Sequence, residues 1–337
     1  MIGVPSWLAD GTRRRFVASS VFAVLTVAAS ILVARHLTHS SWPLQHVEPW
    51  LVAAAALAYV GSFVLRARAW RRLFPPEERP DQGRCLASVG AAAASGVVLP
   101  FRLDYLIKVG MLRRLGGIRV GLSAIVLSIV SLGMIDAIAM LPLSISATAT
   151  SSSALRAPLV IVVVFGIACS TLLVVGGRLA GLPILGRSRR LRALGEHVAR
   201  HTARGGRRDA MVAWVYLFAC WSARAFGSAA LLSALGLSFS PKTALAVICL
   251  GAAAGVLPIT SGGAVVNAGA AATILLVLGV GKEIAINFSL ASGLLLVVSA
   301  VAASIAGVSA SLVIGIMARR DLAFSQSALV PVRSRGH

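Results

Sequence analysis

Two proline-terminated apolar segments carry the chemistry this sequence offers. The first runs from Gly90 to Phe101 and stops at Pro100, with Arg102 and Asp104 just beyond. The second runs from Gly251 to Ala264 and stops at Pro258, with Thr260, Ser261, Gly262 and Gly263 just beyond. Proline lacks a backbone donor and blocks helix continuation, so each segment is a helix that breaks. A helix restarting after the break presents free N–H groups and the positive end of its dipole, which together form an anion site. Thr260 and Ser261 add hydroxyls, Gly262 and Gly263 let backbone approach a ligand closely, and Arg102 adds a full positive charge. Two such ends and one arginine suit a phosphate or another anionic headgroup. The plainer alternative is that the glycines only permit tight helix packing, as Gly251 and Gly255 would through their i, i+4 spacing.

The elements that position these breaks lie in a bilayer. The chain has 337 residues, 58% of them hydrophobic, and a mean hydropathy of +0.87, which marks a polytopic membrane protein. A span needs about 20 apolar residues. Six segments meet or approach this: Phe16–Ala34, Pro49–Leu65, Val120–Leu143, Ala157–Gly177, Ala210–Leu237 and Ile284–Met317. Phe16–Ala34 follows Arg13, Arg14 and Arg15 but is long for a signal peptide and lacks a small-residue cleavage site, so it reads as a retained helix. Cys85–Leu99 and Thr243–Leu257 are too short to span and end at the two prolines. They read as re-entrant hairpins, because a broken helix survives at membrane depth only against protein or water.

Charge placement orients this threading. With the N-terminus in the cytoplasm, most of the 32 Lys and Arg fall inside, in runs such as Arg66–Arg84, Lys108–Arg119 and Arg178–Arg208, while Arg35, Arg156, Lys242 and Lys282 fall outside. The net charge of +21 then faces anionic inner-leaflet phospholipid and gives no reason to invoke nucleic acid. Three long apolar segments separate the two broken helices, so the second copy lies inverted relative to the first. The expected fold is all-α: six transmembrane helices and two re-entrant helical hairpins in an inverted repeat. The whole chain forms one integral membrane domain, with residues 1–150 and 151–320 as the repeats and 321–337 as a cytoplasmic tail. Inverted repeats with interrupted helices point to a binding site at the bilayer midplane.

Arg102, Asp104, Asp136 and Arg224 fall at membrane depth, with Lys108 shallower. Charge there is expensive, so each is a functional candidate. The structural alternative is an internal pair locking helices, with Arg224 beside Asp136 or Asp104. Trp50 and Trp70 mark the two ends of the second span as interfacial aromatics, and Arg187–Arg208 reads as a cytoplasmic interfacial helix. Cys85, Cys169, Cys220 and Cys249 sit in or beside apolar segments and read as packing residues. His36 with His39, and His197 with His201, have no matching acidic or cysteine partners. Neither a metal nor a cofactor is expected. No HExxH, P-loop or GxSxG pattern occurs, so the chain reads as a non-enzyme.

The stretch Leu99–Leu115 resembles the P-G-R-x-G-E…R…RR signature of the transmembrane domain of lysylphosphatidylglycerol synthases, a flippase-like membrane family. The helix with Asp136 and the segment Leu257–Ala271 resemble two further motifs of that family. Phe101 stands where a glycine is usual, Asp104 and Tyr105 replace Gly-Glu, the Ile129–Gly133 stretch lacks the expected arginine, and Val265 takes the last glycine position. The resemblance implies functional roles for Pro100, Arg102, Asp136, Pro258, Gly262 and Gly263. It implies lipid handling or flipping without aminoacyl transfer, since no counterpart of the family's soluble aminoacyltransferase domain is present in this sequence.

The expectation is therefore a multi-pass protein of the inner (plasma) membrane with both termini cytoplasmic. It would translocate or bind an anionic lipid or lipid-linked headgroup. The substrate-binding set would be Pro100, Arg102, Asp104, Asp136, Arg224, Pro258, Thr260, Ser261, Gly262 and Gly263. The alternatives are a structural partner of a cell-envelope glycosyltransferase, or a lipid-modifying enzyme using Asp104 and Tyr105 near Lys108.

Overall fold

The computed structural model describes residues 47–96, 99, 103–115, 121–179, 204–256 and 263–328. The expected first span Phe16–Ala34, most of the Arg187–Arg208 segment, and Pro100, Arg102, Pro258, Thr260, Ser261 and Gly262 lie outside them. The described residues form nine α-helices, one short 3-10 turn and no strand. In chain order the helices are α1 (Pro49–Arg72), α2 (Gln82–Ser95), α3 (Asp104–Arg114), α4 (Leu122–Thr150), α5 (Ser153–Leu179), α6 (Arg204–Ala234), α7 (Pro241–Val256), α8 (Gly263–Val277) and α9 (Lys282–Ala328). Five of them, α1, α4, α5, α6 and α9, contain stretches long and apolar enough to cross a membrane. The order long, short, short, long occurs in α1–α4 and again in α6–α9.

Local chemistry sets the boundaries. Pro49 opens α1, where its missing N–H is no loss, and Arg71 and Arg72 close it at the negative end of the dipole. Asp81 caps α2 by accepting from the Arg84 N–H at 2.9 Å. Asp104 occupies the first turn of α3, and Arg113 and Arg114 its last. The helices α6 and α8 end alike. Gly236 and Gly279 take positive φ of 86° and 80°. The N–H groups of Leu237 and Val280 reach back to the carbonyls of Leu232 and Leu275, closing two Schellman caps.

Two apolar clusters form the interior. One gathers Ala55, Met140, Trp221, Leu231, Val247, Leu275 and Phe288 from α1, α4, α6, α7, α8 and α9. The other gathers Phe63, Trp70, Val89, Ile125, Leu132, Leu217 and Ala300 from α1, α2, α4, α6 and α9. The helices α1, α4, α6 and α9 contribute to both. Large exposed apolar side chains such as Leu57, Ile161, Phe165, Leu172, Val298 and Ile305 face outward on the long helices, as lipid-facing residues do.

Small residues bring α2 against α9 at backbone contact. A Cβ on Gly83 would stand 2.6 Å from Ser311 Oγ, and one on Gly90 would stand 2.5 Å from the Ala300 carbonyl oxygen. Ser304 Oγ donates to the Ala87 carbonyl at 3.2 Å, and Ser311 Oγ donates to Asp81 Oδ1 at 3.2 Å. Association inside a membrane gains little from hydrophobicity, so close packing and interhelical hydrogen bonds carry it. The α1–α6 contact is also close: a Cβ on Gly227 would lie 3.3 Å from the Ala55 carbonyl oxygen.

The second helix departs from expectation in one important respect. The apolar run ends at Leu65, but α1 continues to Arg72, so Arg66 lies inside a helix rather than in a basic loop. Trp70 is fully buried and is not an interfacial aromatic, whereas Trp50 is 64% exposed and suits that role.

Candidate functional site

A polar belt lies between the two apolar clusters, built on α1, α4 and α6. Asp136 is the central residue of the 29-residue α4. Its Oδ2 accepts from Arg66 Nη2 at 2.5 Å, and its Oδ1 accepts from the Trp221 indole at 2.7 Å. The carboxylate is thus satisfied on both oxygens, and the bond to Arg66 is charge-assisted. Of the two partners expected for Arg224, Asp136 or Asp104, Asp136 is paired instead with Arg66. Both α1 and α4 pack on α6.

Arg224 is held differently. Its Nε donates to Ser62 Oγ at 3.1 Å, and Ser62 Oγ donates to the Tyr59 carbonyl at 2.7 Å. Its guanidinium carbon lies 5.1 Å from the Trp221 ring centroid and 5.3 Å from that of Phe63. Arg66 approaches the same indole at 5.9 Å. Trp221 therefore faces two cations with its ring while its N–H serves the carboxylate. One turn further along α6, Ser228 Oγ and the Tyr59 hydroxyl share a hydrogen bond of 3.1 Å.

Lys108 on α3 extends the belt. It is buried, with Nζ 4.2 Å from the Trp70 ring centroid. The Trp70 indole is fixed from behind by donating to Ser128 Oγ on α4 at 3.0 Å. A desolvated ammonium over an indole face is among the stronger cation–π arrangements. The contact seats the short helix α3 on α1. Asp104 lies four residues before Lys108, half-buried in the first turn of α3.

Beside the belt is a cavity of about 90 Å³. Tyr59, Trp221, Arg224 and Ser228 form one wall, and Gly251 of α7 with Phe288 and Ser292 of α9 form part of the other. Among the described residues, a Cβ on Gly251 would meet nothing within 4 Å, so no neighbouring helix packs on it there. Its expected role as a packing glycine is therefore replaced by one in the cavity wall.

A comparison with protein families matches residues 16–304 to the lysylphosphatidylglycerol synthase TM region. The chain belongs to this family. The match covers the belt, the cavity and every residue of the expected site. No curated protein and no solved structure gives a match.

Of the expected site residues, Asp136 and Arg224 come together around Trp221, and Asp104 lies on the adjoining short helix. Gly263 begins α8. Pro100, Arg102, Pro258, Thr260, Ser261 and Gly262 lie outside the described residues. Sequence reasoning missed Arg66, Tyr59, Ser62, Trp221 and Ser228, and left Lys108 aside. A signal existed for α1: Tyr59, Ser62 and Arg66 recur at helical spacing and put one polar stripe on an otherwise apolar helix. Among the described residues no group of His, Cys, Asp and Glu could hold a metal ion. Arginines stay protonated in proteins, so the belt offers fixed positive charge and hydroxyl donors, which are binding chemistry.

Proposed function

We propose that this protein binds an anionic lipid or lipid-linked headgroup in the cavity and carries it across the membrane without covalent chemistry. The observation that carries this reading is the position of the belt. Asp136 at the centre of α4 pairs with Arg66, Arg224 faces the same Trp221 ring, and Lys108 sits over Trp70, so charged side chains gather inside a bundle of apolar helices beside open space. Ionisable side chains at membrane depth mark ligand pathways. Membership of a family named for the membrane region of a lipid synthase supports lipid as the ligand.

In this reading the two halves form an inverted repeat, and each short pair, α2–α3 and α7–α8, is a re-entrant hairpin. The breaks at Pro100 and Pro258 frame the site near the midplane. Arg102, Thr260, Ser261 and the N–H groups of Gly262 and Gly263 supply further anion contacts. Phe16–Ala34 adds a sixth span, both termini lie in the cytoplasm, and the basic loops rest on anionic inner-leaflet phospholipid of the inner membrane.

The test is lipid translocation by purified full-length protein in vesicles of phosphatidylcholine and phosphatidylglycerol, using fluorescent phosphatidylglycerol quenched from outside. The expected result is translocation well above protein-free vesicles, lost in Arg102→Ala with the fold intact. Wild-type protein that moves lipid no faster than empty vesicles overturns the reading. Arg102→Ala protein at the wild-type rate overturns the part assigned to the broken helices.

A further inference from the structure

We infer that the cavity beside Arg224 is a phosphate subsite, in which Arg224 with the hydroxyls of Tyr59 and Ser228 receives the phosphodiester of the headgroup. This rests on the reading of the protein as an anionic-lipid carrier and names the atom group it would hold. Four observations carry it.

The first is the charge of the lining. Among the described residues, Arg224 is the one ionisable cation lining the cavity, and no carboxylate lines it. The nearby Asp136 spends its two oxygens on Arg66 and Trp221. The second is orientation. Ser62 takes the Nε of Arg224, while Phe63 and Trp221 lie within 5.3 Å and 5.1 Å of its guanidinium carbon. The head is thereby aimed before any ligand arrives, and a guanidinium presents a donor fork matched to phosphate oxygens.

The third is the neighbouring donors. Tyr59 and Ser228 are 4% and 1% exposed, yet both line the cavity, and their hydroxyls bond each other at 3.1 Å. One of the two hydrogens is consumed in that contact, and the other can turn to a ligand oxygen. The fourth is size. The cavity of about 90 Å³ admits several waters and so has room for one tetrahedral oxyanion. Gly251 keeps this space open, since any larger residue there would project into it. A site of this kind selects the diester common to phospholipids over uncharged lipid.

The test is calorimetric titration of detergent-solubilised full-length protein with dihexanoyl phosphatidylglycerol, dihexanoylglycerol and inorganic phosphate. The expected result is saturable binding of the phospholipid and none of the uncharged glyceride. Competition by inorganic phosphate identifies free phosphate as a ligand of the same site. Arg224-dependent phospholipid binding without such competition identifies the lipid as the source. Either result supports the subsite. Arg224→Gln should weaken phospholipid binding about 10- to 100-fold, the scale of a hydrogen bond to a charged group. Tyr59→Phe should weaken it about threefold. Gly251→Leu should abolish it by filling the space, with an unchanged melting temperature. Wild-type affinity in Tyr59→Phe and Gly251→Leu, or equal binding of dihexanoylglycerol, overturns the proposal even if Arg224→Gln misfolds. Vesicle translocation separates the two readings. Phospholipid binding at Arg224 without transport sinks the carrier and keeps the subsite. Transport insensitive to Arg224→Gln and Gly251→Leu sinks the subsite and keeps the carrier.

Discussion

The two pairs of short helices occupy corresponding places in the chain and differ in charge. The pair α2–α3 carries Arg84, Asp104, Lys108, Arg113 and Arg114, with Asp81 as its cap, whereas α7–α8 carries Lys242 alone. Their packing differs in the same sense. The helix α2 lies on α9 backbone to backbone, through Gly83, Gly90 and Gly307. The helix α7 spreads over α4, α5, α6 and α8 through apolar side chains such as Val247 and Leu250. The first pair carries charge and has a fixed seat, whereas the second gives the cavity a neutral wall opposite Arg224 of α6. The difference teaches how a cavity can favour an anion. Fixed cations on one side act more strongly when the facing side is apolar and excludes water.

The sharpest way to break this contrast is to strike the charged side at its centre. Asp136→Leu leaves Arg66 buried without its counter-charge and should destabilise the protein by about 3–5 kcal/mol. The double variant Arg66→Met, Asp136→Leu should recover most of that loss. Denaturant unfolding of the detergent-solubilised protein measures both. A double variant no more stable than the single would show that the pair does more than neutralise itself. The next largest effect falls on the seat of the first pair. Gly307→Ala drives a methyl into the Ala87 backbone and should lower stability by about 1–3 kcal/mol in the same assay. The smallest belongs to the neutral wall. Gly251→Ala meets open space, so it should be neutral or stabilise α7 by up to about 1 kcal/mol. Equal losses at Gly307 and Gly251 would erase the distinction between seat and wall.

Much of this arrangement is legible in the sequence. Apolar runs that stop at Pro100 and Pro258 are too short to span, and the helices found there have 14 and 16 residues. Asp136 and Arg224 stand out because charge is rare in such apolar company. Arg66 is hidden because it begins a basic run with Arg68, Arg71 and Arg72, and a charge count assigns the run as one loop. The helix continues through that run, and only the face of each arginine separates them: Arg66 turns inward to Asp136 while Arg68 is exposed. Trp70 misleads for a related reason. A tryptophan near the end of an apolar run fits an interfacial belt, and only the arrival of α3 with Lys108 and of α4 with Ser128 buries it. Pairing across elements depends on which helices meet, and a single chain's periodicity does not encode that.

The ion pair at the middle of the molecule also constrains how the protein is made. Arg66 and Asp136 are 70 residues apart, and Trp221 lies 85 residues beyond Asp136. During synthesis α1 reaches the bilayer before its counter-charge exists. An arginine at the centre of an inserting helix costs about 2.5–3.5 kcal/mol, and Arg66, nearer the end of α1, carries part of that cost. The apolar run Pro49–Leu65 carries that burden unaided until α4 emerges. The arginine of α1 therefore waits without its partner while three further helices are made, so the order of translation becomes part of the assembly of the site.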